Sequence, residues 1–101
     1  MVRVTPLEVD GIQVVGVEVE LPKTTLLVIS TKRGYIMCGA LDVGLLNEKL
    51  ADRNILAGRA VGVRSLDDLL TAPLESVTGF AESIGIKVGM SGREALKRMA
   101  G

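Results

Sequence analysis

Apolar and polar positions alternate along the first part of the chain, which is the signature of strands with one buried face. Val2 and Val4, then Ile12 and Val14, alternate with other residues, and Asp10-Gly11 between them is the strongest short hairpin signal. Val15, Val17, Val19 and Leu21 alternate in turn against Gly16, Glu18 and Glu20. The alternation therefore slips by one at Val14-Val15, and a β-bulge beside Gly16 would let the apolar face continue past the slip. Pro22-Lys23 turns the chain into a run from Thr24 to Thr31, and Lys32-Arg33-Gly34 turns it again into Tyr35 to Gly39. Leu26 to Ile29 and Tyr35 to Cys38 are apolar at consecutive positions, which predicts strands covered on both faces.

The second half alternates helix and strand. From Asp42, placed to cap or open a helix, Val43, Leu46 and Leu50 recur at helical spacing, while Glu48, Lys49, Asp52 and Arg53 are left for solvent. Asn54 ends that helix, and Ile55 to Val63 reads as a strand. One face of that strand, Leu56, Gly58, Ala60 and Gly62, is mostly small, as expected where another element packs close. Its other face carries Ala57, Arg59, Val61 and Val63. Ser65-Leu66-Asp67-Asp68 resembles a capping box and opens a short helix through Leu70. Pro73 fits the first turn of a second helix that Gly85 closes, and Ser91-Gly92-Arg93-Glu94 is a full capping box for a last helix to Met99.

Strand, helix and strand in the order Tyr35–Gly39, 42–53, 55–63 predict a βαβ unit with parallel strands and a right-handed crossover. The expected fold is α+β, a mixed α/β arrangement: N-terminal antiparallel strands, then the βαβ unit, then C-terminal helices. Both parallel strands would end on one edge of the sheet, where pockets of open α/β sheets form. No repeat or linker divides the 101 residues, so one domain is expected, with residues 1–22 as a β-rich oligomerisation region and 23–101 as an α/β body.

Composition narrows the function classes. Hydrophobic residues make up 48% of the chain, and the mean hydropathy of +0.39 is high for so small a soluble protein. Small chains have much surface for their volume, so part of this apolar surface is expected to be covered by another copy. Twelve basic and twelve acidic residues cancel, which removes any long-range pull toward nucleic acid or anionic lipid. Tyr35 and Phe80 alone could stack on bases. Apolar runs such as Leu26 to Ile29 are far too short to span a bilayer, and Met1 to Pro6 does not open a targeting signal. A single cysteine forms no intrachain disulfide, and the cytoplasm is the expected compartment. With no histidine, Ser-His-Asp and Cys-His catalysis are excluded as written, and no metal or cofactor is expected.

Four places carry candidate chemistry. Cys38 reads either as a small core residue or as a nucleophile or redox thiol activated by a nearby helix start, with Asp42 as its base. Arg59, on a largely apolar strand, needs a carboxylate partner such as Asp42, Glu48 or one from a second subunit, or else an anionic ligand. Arg64 and Ser65 lie at the expected carboxyl edge, where Arg64 could hold a phosphate or carboxylate. Ser65 is there either as a helix cap or beside free N–H donors for the same anion. Gly39 follows Cys38 at that edge. None of the glycines forms a phosphate-binding pattern. The leading expectation is a non-enzymatic homo-oligomeric binding or assembly module with a small-anion pocket at Gly39, Arg59, Arg64 and Ser65. The alternative is an enzyme using Cys38.

Taken together, Arg33-Gly34-Tyr35-Ile36-Met37-Cys38-Gly39, Ala40-Leu41-Asp42, Leu46 to Leu50, Arg59 to Val63, Asp68-Leu69-Leu70 and Gly89 to Leu96 resemble the YunC-like family of small bacterial and archaeal domains of unknown function. The resemblance implies an N-terminal β region that mediates tetramer formation. It implies no activity, substrate or catalytic residue.

Overall fold

The structure is a computed structural model, and it describes residues 1–39 and 54–100. The helix expected from Asp42 to Arg53, Asp42 and Glu48 included, lies outside the described residues. Among the described residues, five strands come first: β1 (Val2–Val9), β2 (Ile12–Leu21), β3 (Thr24–Ser30), β4 (Gly34–Met37) and β5 (Leu56–Arg59). Then follow α1 (Leu66–Thr71), β6 (Ser76–Val77), α2 (Gly79–Ser83) and α3 (Gly92–Ala100). The six strands form one sheet in chain order. β4 and β5 are parallel and every other pair is antiparallel, so the fold is α+β with a mixed sheet, as the sequence pattern predicts.

The turns follow from their residues. Asp10 and Gly11 both take left-handed backbone angles, φ 51° and 85°, the geometry that suits the twist of a two-residue hairpin. Lys23 is left-handed as well, at φ 66°, directly after Pro22. That sequence of conformations is the pattern of a type II turn, and a lysine there is strained relative to glycine.

The expected bulge at Val14-Val15 is absent. β1 and β2 pair without a break from Val2 opposite Val19 to Val9 opposite Ile12. The slip in the hydrophobic pattern marks a change of face instead. Val14 is buried toward the helices, whereas Val15, Val17, Val19 and Leu21 point to the other side of the sheet. Gly16 lies beneath α1: a Cβ there would lie 2.6 Å from Leu66 Cδ1, so any side chain at this position requires the end of Leu66 to move aside.

The register sorts the sheet into two faces. On the helical face, the row Thr5, Gly16, Ile29, Ile36, Gly58, Val77 crosses all six strands. Leu69 of α1, Ala81 of α2, and Leu96 and Met99 of α3 join this face in one buried core with Leu27, Leu56 and Leu74. On the opposite face, the row Val4, Val17, Val28, Met37, Arg59, Ser76 crosses the same strands. β3 and β4 are thus buried fully on one face and partly on the other, rather than covered on both as their apolar runs suggest.

Two further expectations are corrected. β5 stops at Arg59 instead of running to Val63; Ala60 N–H still donates to Met37 O, and Gly62, at φ 73°, then turns the chain toward α1. Pro73 does not open a helix. It bridges to Ser91, Leu74 N–H donates to Met90 O, and the chain forms β6 before Thr78 caps α2. The tertiary pairing of this segment with β5 and with the loop before α3 outweighs the local preference of proline for a helix start. Gly85, at φ 94°, ends that helix as expected.

Candidate functional site at the sheet's carboxyl edge and second face

The carboxyl ends of β4 and β5 lie side by side, and the β2–β3 hairpin tip reaches the same edge because β3 runs antiparallel to β4. A cavity of about 660 Å³ opens there between the hairpin tip and the segment after β5, lined by Glu20, Leu21, Lys23, Thr24, Thr25, Val63 and Arg64. Arg64 is thus at the edge where sequence reasoning places it. Its backbone N–H donates to Asp68 Oδ2 at 3.0 Å, while its guanidinium makes no ion pair among the described residues. The same holds for the Lys23 ammonium. Glu20, the carboxylate in the lining, is already engaged by Arg3 at 3.2 Å. The cavity therefore carries two uncommitted cations and one committed anion, which favours a negatively charged occupant.

Ser65 belongs to a different surface. Its Oγ accepts from Asp68 N–H at 3.1 Å and caps α1, and it lines a second cavity of about 420 Å³ with Leu7, Glu8, Glu18, Asp67 and Arg93 among others. The cap engages the hydroxyl oxygen as an acceptor, the helix-capping role that its place before α1 suggests.

Gly39 and Arg59 come together, and neither lines the cavity at Arg64. A Cβ at Gly39 would lie 3.8 Å from Arg59 Nη2 and 3.6 Å from Val61 Cγ1, ordinary van der Waals distances that make Gly39 a neighbour of the guanidinium. Arg59 faces Glu75, but Nε and the carboxylate are 4.0 Å apart, too far for a hydrogen bond. Arg59 Nε is buried without a hydrogen-bond partner, and so is Ser76 Oγ, its neighbour across the β5–β6 pair. Thr78 shows how the fold treats a hydroxyl with a structural task. It is buried, donates to Ile55 O at 2.7 Å, and accepts from Ala57 N–H and Ala81 N–H, both at 3.3 Å.

Cys38 lies in the hydrophobic core, 8% exposed, with its Sγ accepting from Leu27 N–H at 3.5 Å. Its own N–H continues the ladder to Leu27 O. The geometry is that of the packing residue; its suggested base, Asp42, is outside the described residues.

Of the residues singled out in the sequence, the structure joins Gly39 to Arg59 and leaves Arg64 and Ser65 in separate cavities. Sequence reasoning missed Lys23, Thr24 and Thr25, whose only signal was the Pro22-Lys23 turn. It also missed Glu75 and Ser76, because the pattern placed them in a helix.

Comparison with known proteins agrees with this fold. Residues 37–99 match the family model described as a domain of unknown function, DUF1805. The chain is 63% identical over 99 residues to a Bacillus subtilis (strain 168) protein described as uncharacterized protein YunC, covering 98% of each chain. A crystal structure of a protein of unknown function from Thermoplasma acidophilum superposes with a TM-score of 0.87 at 28% identity, over 98% of this chain and 93% of that one. A family match over more than half the chain, a full-length relative at high identity and the six-stranded mixed sheet agree: the chain belongs to the YunC-like, DUF1805 family of domains of unknown function.

Proposed function

We propose that the protein is a homo-oligomeric binding module in which copies join through the second face of β1–β3, residues 1–22 supplying most of the contact. The observation that carries this reading is the apolar surface of that face. Val2, Val19 and Leu26 form one row, Val4, Val17 and Val28 the next, and Pro6 and Val15 continue it. Val2 and Val4 are more than 60% exposed, and Val15 and Leu21 about 40%. Monomeric proteins rarely leave such contiguous apolar surface open to water. Burying the exposed part of each side chain contributes on the order of 1 kcal/mol. Sedimentation velocity at micromolar concentration is expected to return a dimer or tetramer, and Val4→Glu with Val15→Glu to dissociate it while keeping the circular dichroism spectrum. A monomeric wild-type protein overturns the proposal.

The ligand of this module is a small anion in the carboxyl-edge cavity, held by Arg64 and Lys23 with the Thr24 and Thr25 hydroxyls as further donors. Support comes from the two cations left without ion pairs among the described residues on a cavity whose carboxylate is already engaged. A thermal-shift screen of phosphate and organic anions is expected to raise the melting temperature, because selective binding to the native state stabilises it by mass action. Loss of the shift in Arg64→Gln and Lys23→Gln supports the pocket; a shift unchanged in both variants places the anion elsewhere.

A further inference from the structure

The two cations of the carboxyl-edge cavity leave from backbone that other contacts hold in place. Val63, in the cavity wall, packs against the hydrophobic core, and Arg64 is tied from its other side by its N–H bond to Asp68 Oδ2 at 3.0 Å. Lys23, on the hairpin side, sits in the left-handed conformation at φ 66°, which lysine adopts only where the turn around it imposes the angle. Neither cationic group has an ion pair among the described residues. The Thr24 and Thr25 hydroxyls of the same lining likewise make no hydrogen bond among them. All four side chains are open to solvent, so a ligand can reach them.

We infer that the ligand of this cavity is a phosphate monoester of a small hydroxylated compound, an inference that rests on the anion reading above and names its chemical class. Two cations without partners match the charge of a phosphate monoester, about −1.5 to −2 near neutral pH. The Arg64 fork, the Lys23 ammonium and the threonine hydroxyls supply more donors than one carboxylate uses, and a phosphoryl group has three oxygens to accept them. Size requires a body beyond the phosphoryl group. The cavity of about 660 Å³ is roughly twenty times a water molecule's share of the liquid, so a bare phosphate fills only a small part of it. Glu20, opposite Thr25 in the β2–β3 pair, selects the chemistry of that body. Its contact with Arg3 joins two exposed side chains and leaves the carboxylate free to accept further bonds. Glu20 therefore repels a second anionic group and accepts from a hydroxyl, while Lys23 and Arg64 disfavour an ammonium on the same ligand. Leu21 and Val63 add apolar surface for the C–H groups of such a body.

The test titrates the full chain with ribose 5-phosphate and glycerol 3-phosphate and follows the melting temperature at constant ionic strength. Inorganic phosphate, succinate, free ribose and free glycerol are the comparisons. At least one ester is expected to raise the melting temperature saturably, at concentrations about tenfold or more below those inorganic phosphate requires, with no response to ribose or glycerol. Arg64→Gln and Lys23→Gln should each weaken the ester about tenfold or more, while Arg33→Gln, a cation on the β3–β4 turn outside the cavity lining, leaves it unchanged. Glu20→Gln should separate the two parts of the ligand. Removing its charge strengthens inorganic phosphate and weakens the hold on the body, so the preference for the ester over phosphate shrinks severalfold. Inorganic phosphate or succinate binding as tightly as both esters, with the same dependence on Arg64 and Lys23, overturns the ester and leaves the anion cavity standing. An ester preference undiminished in Glu20→Gln overturns the hydroxylated body. No response to any anion, or one that survives in both Arg64→Gln and Lys23→Gln, removes the cavity reading and the ester with it.

Discussion

Gly92→Ala sets two opposed effects against each other at the first residue of α3. Alanine is the better helix former by about 1 kcal/mol, which would stabilise the helix if space allowed. Space does not allow it. The added Cβ would overlap the Leu69 backbone carbonyl oxygen, with the Leu69 carbonyl carbon at 3.2 Å and Ile36 Cδ1 at 2.8 Å. A flexible side-chain end can move aside, but the Leu69 carbonyl belongs to α1, whose ends are tied down. Ser65 caps it, Ala72 N–H donates to Asp68 O, and Gly92 N–H itself donates to Ala72 O at 3.3 Å. Relief therefore requires α1 and α3 to part, which weakens the contacts of Leu69, Leu96 and Met99, all fully buried. Overpacking costs about 1–3 kcal/mol, and the rigid backbone partner places this case at the upper end. With the propensity gain subtracted, the expected net destabilisation is about 2 kcal/mol, or roughly 8–16 °C in melting temperature for a chain of this size. Urea unfolding followed by circular dichroism measures it at one protein concentration. Gly11→Ala is the control: its φ of 85° is strained for alanine, but nothing lies within 4 Å of the new Cβ, so the cost should be about 1 kcal/mol. A Gly92→Ala protein as stable as the wild type, or more so, would refute the steric reasoning and show that propensity wins.

Thr78→Val keeps the shape but strands the Ala57 and Ala81 N–H groups and the Ile55 carbonyl, and should cost about 2 kcal/mol or more in the same urea experiment. Cys38, 8% exposed, should react with a thiol reagent slowly in the native protein and at full rate in denaturant, and rapid native labelling would count against its core placement. Arg93 reaches across from α3 to Asp10 at the β1–β2 turn, 3.3 Å away, but both side chains are substantially exposed. A double-mutant cycle with Asp10→Asn and Arg93→Gln should give a coupling of about 1 kcal/mol or less, reduced further in high salt.

Elements whose cause is local were legible in the chain. Asp10-Gly11 specifies its hairpin because few other pairs accept two left-handed conformations, and Ser65 and Ser91 each place the start of a helix by accepting an N–H three residues on. The parallel pairing of β4 and β5 follows from strands too far apart in sequence for a hairpin, and that pairing brings Arg64 to the carboxyl edge. Faces, the pairing of β6 and vacancies were not legible, because each depends on residues distant in sequence. Val14 and Val15 are equally apolar, and it is Leu66 of α1, packed over Gly16, that makes one face the core and leaves the other to Val15, Val17 and Val19. Glu75 and Ser76 follow a proline that suits a helix start, yet Glu75 N–H donates to Arg59 O and Ser76 is drawn into a strand beside β5. Arg59 is marked in the sequence as a charge needing a partner. That its neighbour is an equally unsatisfied Ser76 emerges only from the cross-strand register, which no local pattern encodes because it is set by the packing of the whole sheet against its helices.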